Sequence, residues 1–173
     1  MKKFLAGVAT LAMVAGGSSV VLAQEIATGD ADVTLESALD IEAALGLNFG
    51  VIAIGNTAGT VVLDPATSAI TDDPANNIFS TDAALAQAGT FDVTGVENID
   101  VSVDLPLDIT LDGEGDAAGS TLTVDALTTD PVAPFNLGTE GSETLAIGGT
   151  LQIGADQATG AYSGTYDVTV DFN

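Results

Sequence analysis

The side chains able to do chemistry in this sequence are carboxylates and hydroxyls. Its 173 residues include 25 Asp and Glu, two basic residues (Lys2 and Lys3) and no His, Cys or Trp. Beyond those first residues there is no His or Lys base, no Cys nucleophile, no thiolate or imidazole metal ligand and no guanidinium to clamp a phosphate. Asp112-Gly113-Glu114-Gly115-Asp116 alternates carboxylates with glycine, a composition that suits calcium, which takes oxygen ligands from loops. It lacks the twelve-residue spacing and closing Glu of an EF-hand, and Gly and Asp are ordinary turn residues, so a solvated turn is expected. Gly113, Gly115 and Gly119 miss the spacing of a dinucleotide loop and have no strand–helix unit around them. Ser163 has no His or Lys to activate it. A carboxylate pair for glycoside hydrolysis would lack Trp and have two Tyr from which to build a sugar platform. The sequence therefore predicts no enzyme, no catalytic residue, no metal site and no cofactor.

The elements that hold these residues begin after a leader. Lys2 and Lys3, an apolar stretch from Phe4 to Ala15 and the small-residue end Val21-Leu22-Ala23 read as an export signal over residues 1–23. The stretch is short for a bilayer and is interrupted by Gly16-Gly17-Ser18-Ser19. Its removal leaves all 25 acids and neither lysine, so no stable membrane insertion is expected afterwards. Nucleic acid is excluded as a partner, because its binding needs Lys and Arg to displace counterions. An acidic surface keeps copies hydrated and apart at the cost of self-repulsion, which salt relieves. The expected location is the periplasm, the cell surface or the extracellular space. Without Cys there is no disulfide, so core packing must supply the stability.

Residues 24–173 are expected to form one domain, dominated by alternation with period two. Ile99, Val101, Val103 and Leu105 alternate with polar residues, as do Leu107, Ile109 and Leu111. Tyr166, Val168, Val170 and Phe172 form the clearest run. Shorter runs fall at Phe91 and Val93, Leu122 and Val124, Leu145 and Ile147, and Leu151 and Ile153. Turn signals separate them at Gly55-Asn56, Asp64-Pro65, Asp72-Asp73-Pro74, Asp112 to Gly115, Asp130-Pro131 and Gly148-Gly149. Two stretches are ambiguous. Glu36 to Ala44 has good helix formers but also fits a strand, which we favour; Ser80 to Ala88 fits a helical turn or a loop. The spacing predicts an all-β protein, an antiparallel immunoglobulin-like β-sandwich.

Leu47-Asn48-Phe49-Gly50, Gly59-Thr60-Val61, Val93-Thr94-Gly95, Gly148-Gly149-Thr150-Leu151 and Gly160 to Tyr166, in that order, resemble the family of exported bacterial proteins called domain of unknown function 4402. More distantly, the early LNFG segment and the late G-x-Y segment leading into a final alternating strand resemble spore coat protein U-like and archaic chaperone-usher pilin subunits. That second resemblance implies a sandwich lacking one strand, completed by the N-terminal strand of a neighbour. It implies the chain itself, as a homopolymer, and a periplasmic chaperone as partners. Residues 24–36 are then the candidate donor, with Ile26, Val33 and Leu35 as its apolar side chains, although Val33 and Leu35 fit the domain's own first strand equally well. Val168, Val170 and Phe172 are the candidate acceptor residues on the final strand. A monomeric binding module for divalent cations or a surface polymer is the alternative.

Overall fold

The computed structural model describes residues 26–34 and 39–173; the expected leader, residues 1–23, and Leu35 lie outside the described residues. Contacts divide the chain into two units that meet between Leu35 and Glu36. Residues 26–34 of the first unit are exposed throughout and carry no regular secondary structure.

The second unit is built from β1 (Leu39–Leu45), β2 (Asn48–Ala53), β3 (Gly59–Leu63), β4 (Ile70–Thr71), β5 (Phe79–Gln87), β6 (Gly89–Gly95), β7 (Asp100–Asp104), β8 (Asp108–Gly113), β9 (Thr121–Asp130), β10 (Phe135–Asn136), β11 (Ser142–Ile153), β12 (Tyr162–Ser163) and β13 (Thr169–Phe172). One large sheet runs β1-β6-β11-β9-β8-β12, with β3 added to β11 and β4 to β3. The strands β10-β7-β13 form a second sheet, and β2-β5 a two-stranded ribbon. Every one of these pairings is antiparallel. The expected antiparallel sandwich is what the chain forms.

β11 organises the interior. Its first half pairs with β6 and its second half with β3, while β9 runs along the other flank. Leu145 and Ile147 enter one apolar cluster with Val93, Val101, Phe135 and Leu137. Leu151 and Ile153 enter another with Phe49, Val61, Leu63, Ile78, Ile109 and Val124. Gly148 and Gly149, expected as a turn, lie instead inside this strand. A Cβ on Gly148 would come within 2.2 Å of the Leu63 carbonyl oxygen, so the residue at the handover from β6 to β3 has to be Gly. No polar or charged residue is buried among the described residues, and burial of apolar area is the main favourable term left to the domain.

Other expectations change with pairing. Ser80 to Ala88 is neither helix nor loop, since residues up to Gln87 belong to β5. Its Ala-rich sequence pairs with β2 in a register broken by shifts on either side of Val51, and tertiary pairing overrides helix propensity. Glu36 to Ala44 resolves from Leu39 onward as a strand, β1. Leu107, expected on an inward face, precedes β8 and is 93% exposed. The final run, Tyr166 to Phe172, pairs only from Thr169 onward, because its first half lies on the stretch that leads from Tyr162–Ser163 in the large sheet to β13 in the second.

Candidate functional site

The LNFG segment shapes one wall of an opening. Leu45 to Asn48 carry the chain from β1 in the large sheet to β2 in the ribbon. Phe49 turns into the core, while Gly50 takes φ +74°, with its N–H donating to Asn48 Oδ1 at 2.8 Å. A side chain at position 50 would strain this backbone and press on the Asp82 carbonyl. The β2–β5 register shifts here, between Phe49 and Val51, while Phe49 packs with Val61, Val124 and Leu151 of the large sheet. Among the described residues β2 pairs with β5 alone, so its other flank has no strand partner there.

The opposite wall comes from the G-x-Y segment. The Tyr162 hydroxyl donates to the Ala158 carbonyl at 2.6 Å and accepts from Gln157 Nε2 at 2.8 Å. Gln157 Nε2 also reaches the Thr121 carbonyl at 3.2 Å. These bonds fold residues 157–161 back against β9, and Tyr162 and Ser163 pair with Gly113 and Asp112 of β8.

Between the two walls lies a cleft of about 360 Å³ lined by Leu47, Phe49, Ile52 and Ile54 on one side, by Leu111, Leu122, Leu151 and Ile153 from the large sheet, and by residues 157–162. None of the acidic residues lines it. In a chain this acidic, an opening free of carboxylates and floored by Leu, Ile and Phe side chains can hold a further apolar group, with Asn48, Gln157, Thr159 and Tyr162 supplying polar atoms in its lining.

The sequence-predicted site residues fall elsewhere. Val168 and Val170 are half-buried against the cluster around Val101, and Phe172 is 51% exposed rather than in the core. They do not line the cleft; Val170 and Phe172 lie on β13, which among the described residues pairs with β7 alone and ends its sheet. Ile26 and Val33 are each 83% exposed, and Leu35 lies outside the described residues. Tyr166 links the two regions, packing against both apolar clusters; burial pushes its hydroxyl pKa up.

The carboxylates do not converge. Asp112 ends in β8, Glu114 accepts a hydrogen bond from the Ser163 hydroxyl, and Asp116 sits in a short 3-10 turn, Gly115–Ala117. Among the described residues no three acids are grouped to hold a metal ion. Asp73 is held below the ordinary aspartate value by the Asn76 side-chain amide and by backbone N–H groups including that of Thr60, against a smaller opposing effect of desolvation. It ties the β3 strand to the turn before β5. Sequence reasoning missed the cleft because its lining comes from five separate segments; the glycine and asparagine of LNFG were the one local signal.

The sheets and their arrangement define an antiparallel β-sandwich of the all-β class. Residues 39–172 match the family described as Domain of unknown function (DUF4402), and the chain belongs to it. The match begins with β1 and ends in β13, so it covers the whole sandwich unit. No curated protein and no solved structure matches the chain. Among the described residues no helix is long and apolar enough to cross a membrane.

Proposed function

We propose that the chain is an exported, non-catalytic structural subunit, pilin-like, that assembles with copies of itself by β-strand addition, with a periplasmic chaperone guarding the open edge beforehand. The observation that carries this reading is the cleft lined by residues of β2, a strand that pairs with β5 alone among the described residues. A strand laid there would gain main-chain hydrogen bonds from the edge and place alternate side chains in the apolar opening. The outer flank of β13 offers a second free edge. Natural sheets normally blunt such edges when nothing is meant to join them.

The test is the assembly state of residues 24–173 across salt concentrations, by size-exclusion chromatography and electron microscopy. The same measurement is made on residues 39–173 with and without a peptide of residues 24–36. Filaments or ladders from the long form, and a short form that stays monomeric until it binds the peptide, support the reading. Stable monomers of both forms at every salt concentration overturn it in favour of a monomeric binding module, whose ligand would then be sought by thermal stabilisation.

A further inference from the structure

Residues 27–35 read Ala-Thr-Gly-Asp-Ala-Asp-Val-Thr-Leu. Odd-numbered positions are apolar or small without a break, and even-numbered positions are Thr or Asp. In an extended strand successive side chains point to opposite faces, so Ala27, Gly29, Ala31, Val33 and Leu35 share one face. Ile26 falls on the other, with Thr28, Asp30, Asp32 and Thr34. Alternation of this kind belongs to a strand with one dry and one wet face. Yet residues 26–34 have no strand partner among the described residues and are exposed throughout.

We propose that residues 27–35 of a second copy are the occupant of the cleft beside β2, entering with the odd-numbered face inward and the Asp30 and Asp32 face in water. The inference rests on the strand-addition reading above and fixes which face of the donor is used. Three observations meet in it. The cleft lining contains no acid, so it accepts the odd face and rejects the even one, where an unpaired carboxylate would lose its hydration. Nine extended residues span about 30 Å, enough to run the length of β2 and continue past it. Residues 27–34 have the period of a strand and no strand partner among the described residues, and among those residues β2 pairs with β5 alone.

A rival account, in which the segment adheres simply because it is apolar, makes the opposite forecast. Ile26 and Val33 are equally exposed at 83%, and Ile is the larger, so stickiness alone would make Ile26 matter at least as much as Val33. Phase makes Val33 essential and Ile26 dispensable.

The experiment compares Ile26→Asp and Val33→Asp in the full mature chain at one fixed salt concentration, by sedimentation and electron microscopy. Both variants add the same charge at sites outside the sandwich, and their thermal unfolding serves as the folding control. Val33→Asp is expected to raise the concentration needed for assembly by about tenfold or more, because it carries a carboxylate into the apolar cleft, and Ile26→Asp to leave it within about twofold, since its side chain stays in water. A third variant, Val33→Ile, is expected to assemble like the unsubstituted chain. Equal losses from both Asp variants, or a greater loss from Ile26→Asp, overturn the assigned face while leaving strand addition standing. An unsubstituted chain that stays monomeric throughout overturns strand addition and this inference with it.

Discussion

The ring of Tyr166 meets that of Phe91 edge to face, with centroids 5.9 Å apart and planes inclined at 74°. Through this contact the chain between β12 and β13 is fastened to β6, and the Tyr166 hydroxyl reaches the backbone at Gly89, where any Cβ would collide with it. Because the ring touches both apolar clusters, Tyr166→Ala should cost about 3 kcal/mol of stability. Tyr166→Phe, which keeps the ring, should cost less than about 1 kcal/mol. Denaturant unfolding of the two variants checks this; equal losses would contradict a role based on packing.

Titration of the same residue gives the alkaline limit. Its folded pKa is raised by burial, so the neutral form is the one the domain prefers. The stability this lends is fully present below the unfolded tyrosine value and is lost as pH rises through the folded one. Tyr166→Phe should therefore flatten the fall of the unfolding temperature at high pH. Asp73 acts at the other end. Its folded pKa is lowered, so its contribution is present above the ordinary aspartate value and disappears as pH falls through the depressed one. Asp73→Ala should reduce stability at neutral pH and narrow its gap to the unsubstituted protein in strong acid, which thermal unfolding at a series of pH values would show.

Two glycines distinguish crowding from backbone strain. A Cβ on Gly148 would meet the Leu63 carbonyl oxygen at 2.2 Å, whereas Gly115 has φ +57° and open space around it. Gly148→Ala must force β3 away from β11 and should cost about 3 kcal/mol or more, within the range of overpacking. Gly115→Ala meets only the left-handed backbone penalty, about 1 kcal/mol. Paired denaturation curves decide the order, and a larger loss at position 115 would contradict the strand packing described here.

Salt should stabilise residues 24–173. They hold all 25 acids and no basic residue, so their surface charges repel one another over a screening length of about 8 Å at physiological ionic strength. The unfolding temperature should rise between low salt and molar sodium chloride, and rise similarly in potassium chloride. A flat response, or one that only calcium elicits, would contradict a diffuse surface effect.

Much of the architecture was legible in alternation. Val101, Ile109, Val124, Leu145 and Ile153 were all placed on inward faces by their spacing, and all are buried. Failures occurred where one strand serves two sheets. Gly148 and Gly149 carry the composition of a turn but mark the exchange of neighbours along β11, and Tyr166 to Phe172 alternates as one strand while half of it crosses between layers. Pattern within a segment records which face is dry; it does not record which strand lies alongside. For the same reason the cleft was invisible, since Ile54, Leu122 and Ile153 become neighbours only when β2 is laid over β9 and β11. Val168, Val170 and Phe172 are expected on an acceptor edge; Val170 and Phe172 fall on β13, an end strand of its sheet, and the cleft is lined by other residues, from Leu47 to Ile54 on one side.

The most direct measurement joins two copies by a cross-link. The sequence contains no Cys, so single introduced cysteines report cleanly. Residues 24–173 carrying Val33→Cys are mixed in turn with the same chain carrying Ile54→Cys, on the cleft wall, or Leu107→Cys, on a loop where the side chain is 93% exposed. Random collision favours the exposed position; strand addition predicts that Val33→Cys couples to Ile54→Cys in preference to Leu107→Cys, and that a peptide of residues 24–36 suppresses this coupling. Preferential coupling to Leu107→Cys, unaffected by the peptide, would contradict a cleft filled by a neighbour's strand.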